Sequence, residues 1–233
     1  MKKRLKKYMG RFLTGVFLSG CLSAPAAAQS PVTVHVGDAV LAGDSAWLVE
    51  DTTYVSLQSY TKLRDWPQLW EGEDIFLPLR VLAQAEGAEV TWVAEETAAQ
   101  VGPQEKTLQE SQADEDLYWL SRIISAESRG EPLLGQIAVG NVILNRVADA
   151  SYPNSVKEVI FDRTHGVQFT PTVNGAIHQE PEPCSVLAAA LALNGANIVG
   201  DSLYFFSPAQ SAGNWITANR PYYTTIGGHQ FHL

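Results

Sequence analysis

The sequence predicts an α+β protein built from two separate units, and three observations carry that expectation. Residues 31–100 are rich in strand-forming runs punctuated by one or two short helices. Residues 116–195 are dominated by helical periodicity, and the last thirty residues are aromatic, β-rich and carry a Gly-Gly pair. Between the two lies "VGPQEKTLQESQADE", residues 101–115, which is polar, acidic and aperiodic, and is expected to be a linker. With 233 residues, 45% of them hydrophobic and 18% charged, the chain can bury a substantial core in one or two domains.

The first 28 residues stand apart. "MKKRLKKYMGR" holds six basic residues and no acid, "FLTGVFL" is apolar, and "APAAAQS" offers a cut after Ala28. This is the pattern of a secretory signal, with too short an apolar run for a membrane span. An alternative sits inside it, because "LSGC" resembles a lipoprotein box that would acylate Cys21. Simple cleavage is favoured by the small-residue run that follows, and both routes export the protein to the envelope, the spore or the medium. Without this leader the chain keeps 10 basic against 25 acidic residues, a net charge of −15. That argues against nucleic acid and anionic membranes as partners. Cys184 is then the one remaining cysteine, so no intramolecular disulfide is expected.

In the amino-terminal unit, "VTVHV" alternates, and "TTYVSL" and "DIFLPL" are β-rich. "RVLAQAEGAEVTW" predicts a short helix closed by Gly87 and followed by a strand. "TTYVSLQSYTKL" and "DIFLPLRVLAQA" resemble one another, as the halves of a degenerate duplication would. Tyr54-Val55-Ser56-Leu57-Gln58, Phe76-Leu77-Pro78-Leu79-Arg80, Gly87-Ala88 and Trp92 together resemble the copper-amine-oxidase N-terminal-like module, a small α+β accessory domain. His35 is the only histidine in this region, which speaks against a copper site.

The carboxyl-terminal unit, 116–233, opens with a helix over Asp116–Ser128. A second is expected from Pro132 through "LLGQIAVGNVILNRV", with Ala138 and Gly140 permitting close packing on the first. A short helix follows Pro153, then about twenty residues without a period, then the apolar helix "CSVLAAALALNG" stopped at Gly195. "SLYFFSP" and "YYTTIGGHQFHL" are expected strands, with Gly227-Gly228 turning a hairpin.

One acid breaks the pattern. Leu117, Leu120 and Ile124 recur at helical spacing, and at about 100° per residue Glu127 falls between Leu120 and Ile123, inside the apolar stripe. Apolar surroundings and the negative end of the helix dipole both disfavour the charged carboxylate and raise its pKa. Such a group is suited to general acid catalysis on a glycosidic oxygen. An ion pair with Arg122, Arg129 or Arg146 would lower the pKa instead, and spacing leaves the two readings even.

"ISAESRGEPLLGQIAVGNVILNRV", "YPNSVKEVIF", "QFTPTVNG", "YFFSP" and "TIGGHQF" resemble, in this order, the spore cortex-lytic enzyme family of bacterial cell-wall hydrolases. The resemblance implies a lysozyme-like, mainly helical catalytic domain with a small β-hairpin region. It aligns Glu127 with the family's single catalytic glutamate in Glu-x-Arg-Gly-Glu, although Ser125-Ala126 replaces a commoner Tyr-Gly. It further implies cleavage of peptidoglycan glycan strands by lytic transglycosylation, with no cofactor or metal. Gln168, Phe169 and Thr170 are then expected at the sugar, Thr170 across the cleft from Glu127, with Phe169 supplying a stacking or a packing surface. Of the alternating residues in "LYFF", one pair faces the core and the other lines the groove, and Tyr204 and Phe206 are the groove candidates. Glu131 is expected to cap the second helix, and Asp162 borders the long loop as a rival second carboxylate. Asn145 and Arg146 are expected to hold the second helix to its neighbours. The partner is the glycan strand, with an envelope or spore accessory protein as a further candidate, and a monomer is expected. Two other classes compete. A zinc amidase would draw on His165, His178, His229 and His232, which lack a short metal-binding spacing. A non-catalytic wall-binding protein has the accessory module in its favour and an intact Glu127 against it.

Overall fold

The computed structural model describes residues 29–49, 51–66, 74–103, 112–164, 166–211 and 213–233. The leader with Cys21, most of the linker and His165 lie outside the described residues. The chain divides into two compact units that part between Leu108 and Gln109. Among the described residues no helix is long and apolar enough to cross a membrane.

The amino-terminal unit contains two four-stranded sheets. One joins β1 (Gln29–Pro31), β4 (Ala46–Val49), β5 (Thr52–Ser56) and β6 (Phe76–Pro78), antiparallel throughout. The other runs β3 (Ala39–Leu41), β2 (Thr33–Val36), β8 (Ala98–Pro103), β7 (Ala88–Val93), with β2 and β8 parallel. The two similar segments each form a strand that turns directly into a helix: β5 into α1 (Leu57–Leu63), and β6 into α2 (Leu79–Ala85). The strands of the two segments pair with each other, Ser56 opposite Phe76. Ser56 caps α1 by accepting from the Ser59 amide at 3.0 Å, and it also donates to Asp74. Gly87 takes the left-handed conformation after α2, at φ 64°. Strand β8 continues through Val101–Pro103 because it pairs with Ala88–Val90, so ladder hydrogen bonds claim residues that the composition assigned to the linker.

In the carboxyl-terminal unit, α3 (Gln112–Ser128) and α4 (Leu133–Ala148) both pack on α7 (Pro183–Leu193). Helix α3 starts four residues before the expected Asp116, and α4 one residue after Pro132, which serves as its N-cap. The alanines of α7 let three helices approach closely; Ala188, Ala189 and Ala190 are fully buried. At Gly140 of α4 an added Cβ would stand 2.9 Å from Ile124 Cδ1 of α3 and 3.4 Å from Ala192 of α7, so the small-residue expectation is realised there. Helix α5 (Val156–Phe161) is capped by Ser155.

The long aperiodic stretch contains one turn of helix, α6 (Pro171–Asn174), and a 3₁₀ turn at Ala176–His178. Neither is long enough to show a period. Strands β9 (Tyr204–Phe206), β10 (Tyr222–Ile226) and β11 (His229–His232) form an antiparallel sheet in the order β10-β11-β9. The short helix α8 (Asn214–Asn219), unexpected from sequence, interrupts the aromatic run between β9 and β10.

Polar side chains fix α4 to the segment that leads into β9. Asn141 donates to Ala196 O at 2.6 Å and accepts from the Ile198 amide at 3.0 Å. Asn145 donates to Gly200 O and Ser202 O, and Arg146 Nε to Leu203 O at 2.8 Å. These are backbone groups without a ladder partner of their own, so one face of a helix supplies what secondary structure does not.

Candidate active site

Helix α3 carries Asp114, Glu115 and Asp116 in its first turns and a single acid, Glu127, in its last. Glu127 lies half-buried in the last turn, where Ser128 Oγ bonds back to Ile124 O at 2.8 Å. Burial raises the Glu127 pKa above the ordinary carboxylate value, and no charged group among the described residues opposes the shift. The three arginines that could have paired with it are placed elsewhere. Arg122 bonds Glu180 at 3.0 Å and lies 3.8 Å over the Tyr118 ring. Arg146 is committed to Leu203 O, and Arg129 is exposed.

The turn after Glu127 is braced from a distance. Glu131 does not cap α4: its carboxylate accepts from the Gly228 amide at 2.7 Å and stands 3.6 Å from His229 Nδ1, in the β10–β11 hairpin. The Glu131 carbonyl accepts from Gln136 Nε2 at 2.9 Å, and Gln136 Oε1 in turn accepts from Ser185 of α7 at 2.7 Å. Pro132 occupies the N-cap position instead, leaving the carboxylate free to reach across to a hairpin amide. Side chains at Gly227 or Gly228 would run into that carboxylate, so the Gly-Gly pair both turns the chain and admits Glu131. His229 is buried, and its pKa is lowered by burial and raised in part by Glu131.

Asp162, the rival acid, follows α5 and accepts from the amide and hydroxyl of Thr164 at 2.9 and 2.7 Å; its charge also reaches Arg146. Gln168 is half-buried and donates to Gly166 O at 3.4 Å. Phe169 is 3% exposed, with its ring 5.5 Å from the Arg146 guanidinium and 6.4 Å from Phe205. Of the two surfaces expected of it, the structure leaves Phe169 the packing one, because its ring has no free face. Thr170 is exposed, and its carbonyl accepts from Val173 and Asn174 to begin α6, which packs on α3.

The alternation of "LYFF" resolves. Phe205 packs against Phe231, His229 and Phe169 on the core face. Tyr204 and Phe206 turn to the opposite face, Tyr204 under Trp215 and Arg220, and Phe206 against His232. Tyr152, Trp215 and Arg220 on that face were not signalled by the sequence, since an aromatic run does not show which rings are exposed. His178 ends the 3₁₀ turn with its ring 6.3 Å from Trp119, while His229 and His232 are buried on β11. Among the described residues no three His, Cys, Asp or Glu side chains gather as metal ligands would.

Residues 130–232 match the Cell Wall Hydrolase family, a match that begins three residues after Glu127. The spore cortex-lytic enzyme of Bacillus cereus is 41% identical over 116 residues, which is 50% of this chain and 43% of that protein. The spore cortex-lytic enzyme of Halalkalibacterium halodurans is 36% identical over 119 residues, 51% of this chain and 35% of the relative. The chain thus spans less than half the length of these curated relatives. Among solved structures, the catalytic domain of the germination-specific lytic transglycosylase SleB from Bacillus anthracis is 39% identical and aligns with a TM-score of 0.48, over 55% of this chain and 100% of that one. The stretch from Gly130 to His232 belongs to the cell wall hydrolase family.

Proposed function

We propose that the carboxyl-terminal unit cleaves the glycan strands of bacterial peptidoglycan at the muramoyl–glucosaminyl β-1,4 bond, as a lytic transglycosylase. The single observation that carries this reading is the half-buried Glu127 carboxyl, raised in pKa by burial and without an ion pair or hydrogen bond among the described residues. In its acid form Glu127 donates a proton to the glycosidic oxygen as the C1–O bond breaks, releasing the glucosaminyl hydroxyl. The muramoyl C6 hydroxyl then attacks C1, and the Glu127 carboxylate takes its proton, leaving a 1,6-anhydro end and a recharged acid. Hydrolytic glycosidases generally work with a second carboxylate. Glu131 is bonded to the hairpin and Asp162 to Thr164, which favours the single-acid route. Gln168 and Thr170, beside α6, are assigned polar contacts to the sugar, and Tyr204 and Phe206 the groove face of β9.

Mass spectrometry of the soluble products from purified peptidoglycan tests this. Fragments ending in 1,6-anhydromuramic acid are expected; reducing ends would reassign the enzyme as a hydrolase, and freed peptides alone would favour the amidase.

The names of the relatives support a spore or cell-wall location, in keeping with export by the leader. The amino-terminal unit is assigned to wall retention as a copper-amine-oxidase N-terminal-like module. Its removal should reduce co-sedimentation with intact sacculi and spare cleavage of soluble glycan; undiminished sedimentation would remove that role.

A further inference from the structure

The outer face of the carboxyl-terminal sheet carries a side-chain cluster that the bond-breaking step does not use. Tyr204 and Tyr222 flank His232 from the neighbouring strands, so three rings cross the sheet in one row. The Arg220 guanidinium lies 4.5 Å from the Tyr204 ring and 5.4 Å from the Trp215 ring, and the two rings are 6.0 Å apart. Tyr152 donates to the Tyr204 hydroxyl at 3.1 Å and pins that ring from behind. Trp215 and Tyr222 nevertheless leave 58% of their surfaces open.

The backbone beneath Trp215 is held in place. Asn219 Nδ2 bonds to Trp215 O at 2.7 Å, and the Arg220 amide to Ile216 O at 2.8 Å. Arg220 forms no ion pair among the described residues, and its buried Nε has no hydrogen-bond acceptor there. An open indole seated beside a guanidinium suits a pyranose. The C–H face of the sugar lies on the ring, with the positive charge of the arginine close by. Simple packing does not call for an indole left this open.

The position of this face connects it to Glu127. Strand β10 leads from Tyr222 to the hairpin tip, where Gly228 is bonded to Glu131, four residues beyond Glu127. A bulge between Tyr222 and Thr224 sets the stretch from Tyr222 to Ile226 against three steps of β11, about 10 Å at the usual strand rise. The aromatic face therefore lies farther out than the rings flanking the cleaved bond.

We propose that Trp215, seated on Arg220 and Tyr204, is a distal subsite that stacks an amino-sugar ring of the glycan strand and holds the polymer while Glu127 cuts it. This rests on the glycan-cleaving role proposed above.

The test measures kcat and KM of the full chain on purified glycan strands of increasing length, for the parent, Trp215→Ala and Trp215→Phe. Calorimetry with the Glu127→Gln protein, with and without Trp215→Ala, measures binding of the same strands at low and high salt. Trp215→Ala should raise KM for long strands and weaken binding on the order of tenfold, with kcat lowered far less. Phenylalanine should restore part of the loss, and the loss should persist at high salt because stacking is not ionic. Unchanged KM and binding overturn the subsite. A loss confined to low salt also overturns it, by assigning the face to carboxylates of the stem peptides. A parent protein that neither binds nor cleaves any glycan overturns the glycan-cleaving role itself, a result distinct from either.

Discussion

Glu127→Gln should lower the release of glycan fragments by roughly 10²–10⁴-fold, the usual worth of a positioned general acid, while leaving the protein folded. Glutamine keeps the shape and volume of the side chain, and the carboxyl it replaces makes no hydrogen bond or ion pair among the described residues. The same substitution should make the protein more stable at neutral pH. A carboxyl whose pKa is raised on folding binds its proton more tightly in the folded state. Stability therefore falls as pH rises from the ordinary carboxylate value through the raised one. Glutamine has no proton to lose, so its advantage appears in that window, persists above it and disappears in acid. Urea titrations of both proteins at acid and neutral pH measure this, alongside fragment release. Full activity in the variant would return Glu127 to a structural role.

The second large effect is on the pH profile. In the proposed mechanism protonated Glu127 is the working form for the first step, so the rate should fall on the alkaline side, approaching tenfold per pH unit once the group is mostly ionised. That limb should be missing from the residual activity of Glu127→Gln. Burial is the one cause of the shift, and Arg122 is drawn away by Glu180 and the Tyr118 ring. Carboxyl NMR of the free enzyme should accordingly place the Glu127 midpoint above that of a free glutamate, about 4.3. A midpoint below it would remove the buried-acid argument even with the family assignment intact.

Much of this was legible before any coordinates. The hydrophobic stripe of α3 placed Glu127 toward the buried side, because a helix shows which face it buries through its own period, while spacing alone left its role open. Asn145 and Arg146 read as structural, and they bond the carbonyls of Gly200, Ser202 and Leu203. What stayed hidden depends on partners remote in sequence. Glu131 resembled a helix cap because Pro132 and Leu133 follow it, and nothing local shows that an amide 97 positions away competes for the same carboxylate. Phe169 and Phe206 are both aromatics in loop or strand context. Only packing separates the ring that Arg146 and Phe205 enclose from the one on the outer face. Helices α6 and α8 are four and six residues long, too short for periodicity to register.

The bond from Gly228 to Glu131 also bears on when the site is assembled. It closes a loop of 97 residues, whose entropy must be given up before the contact returns anything, so hairpin docking belongs late in folding. Chains are made from the amino end, and α3 with its acid emerges well before β10 and β11. Until the hairpin arrives, the turn beside Glu127 lacks its brace. Docking of the hairpin is thus the step that completes the surroundings of Glu127, and its place in the order of folding is set by topology.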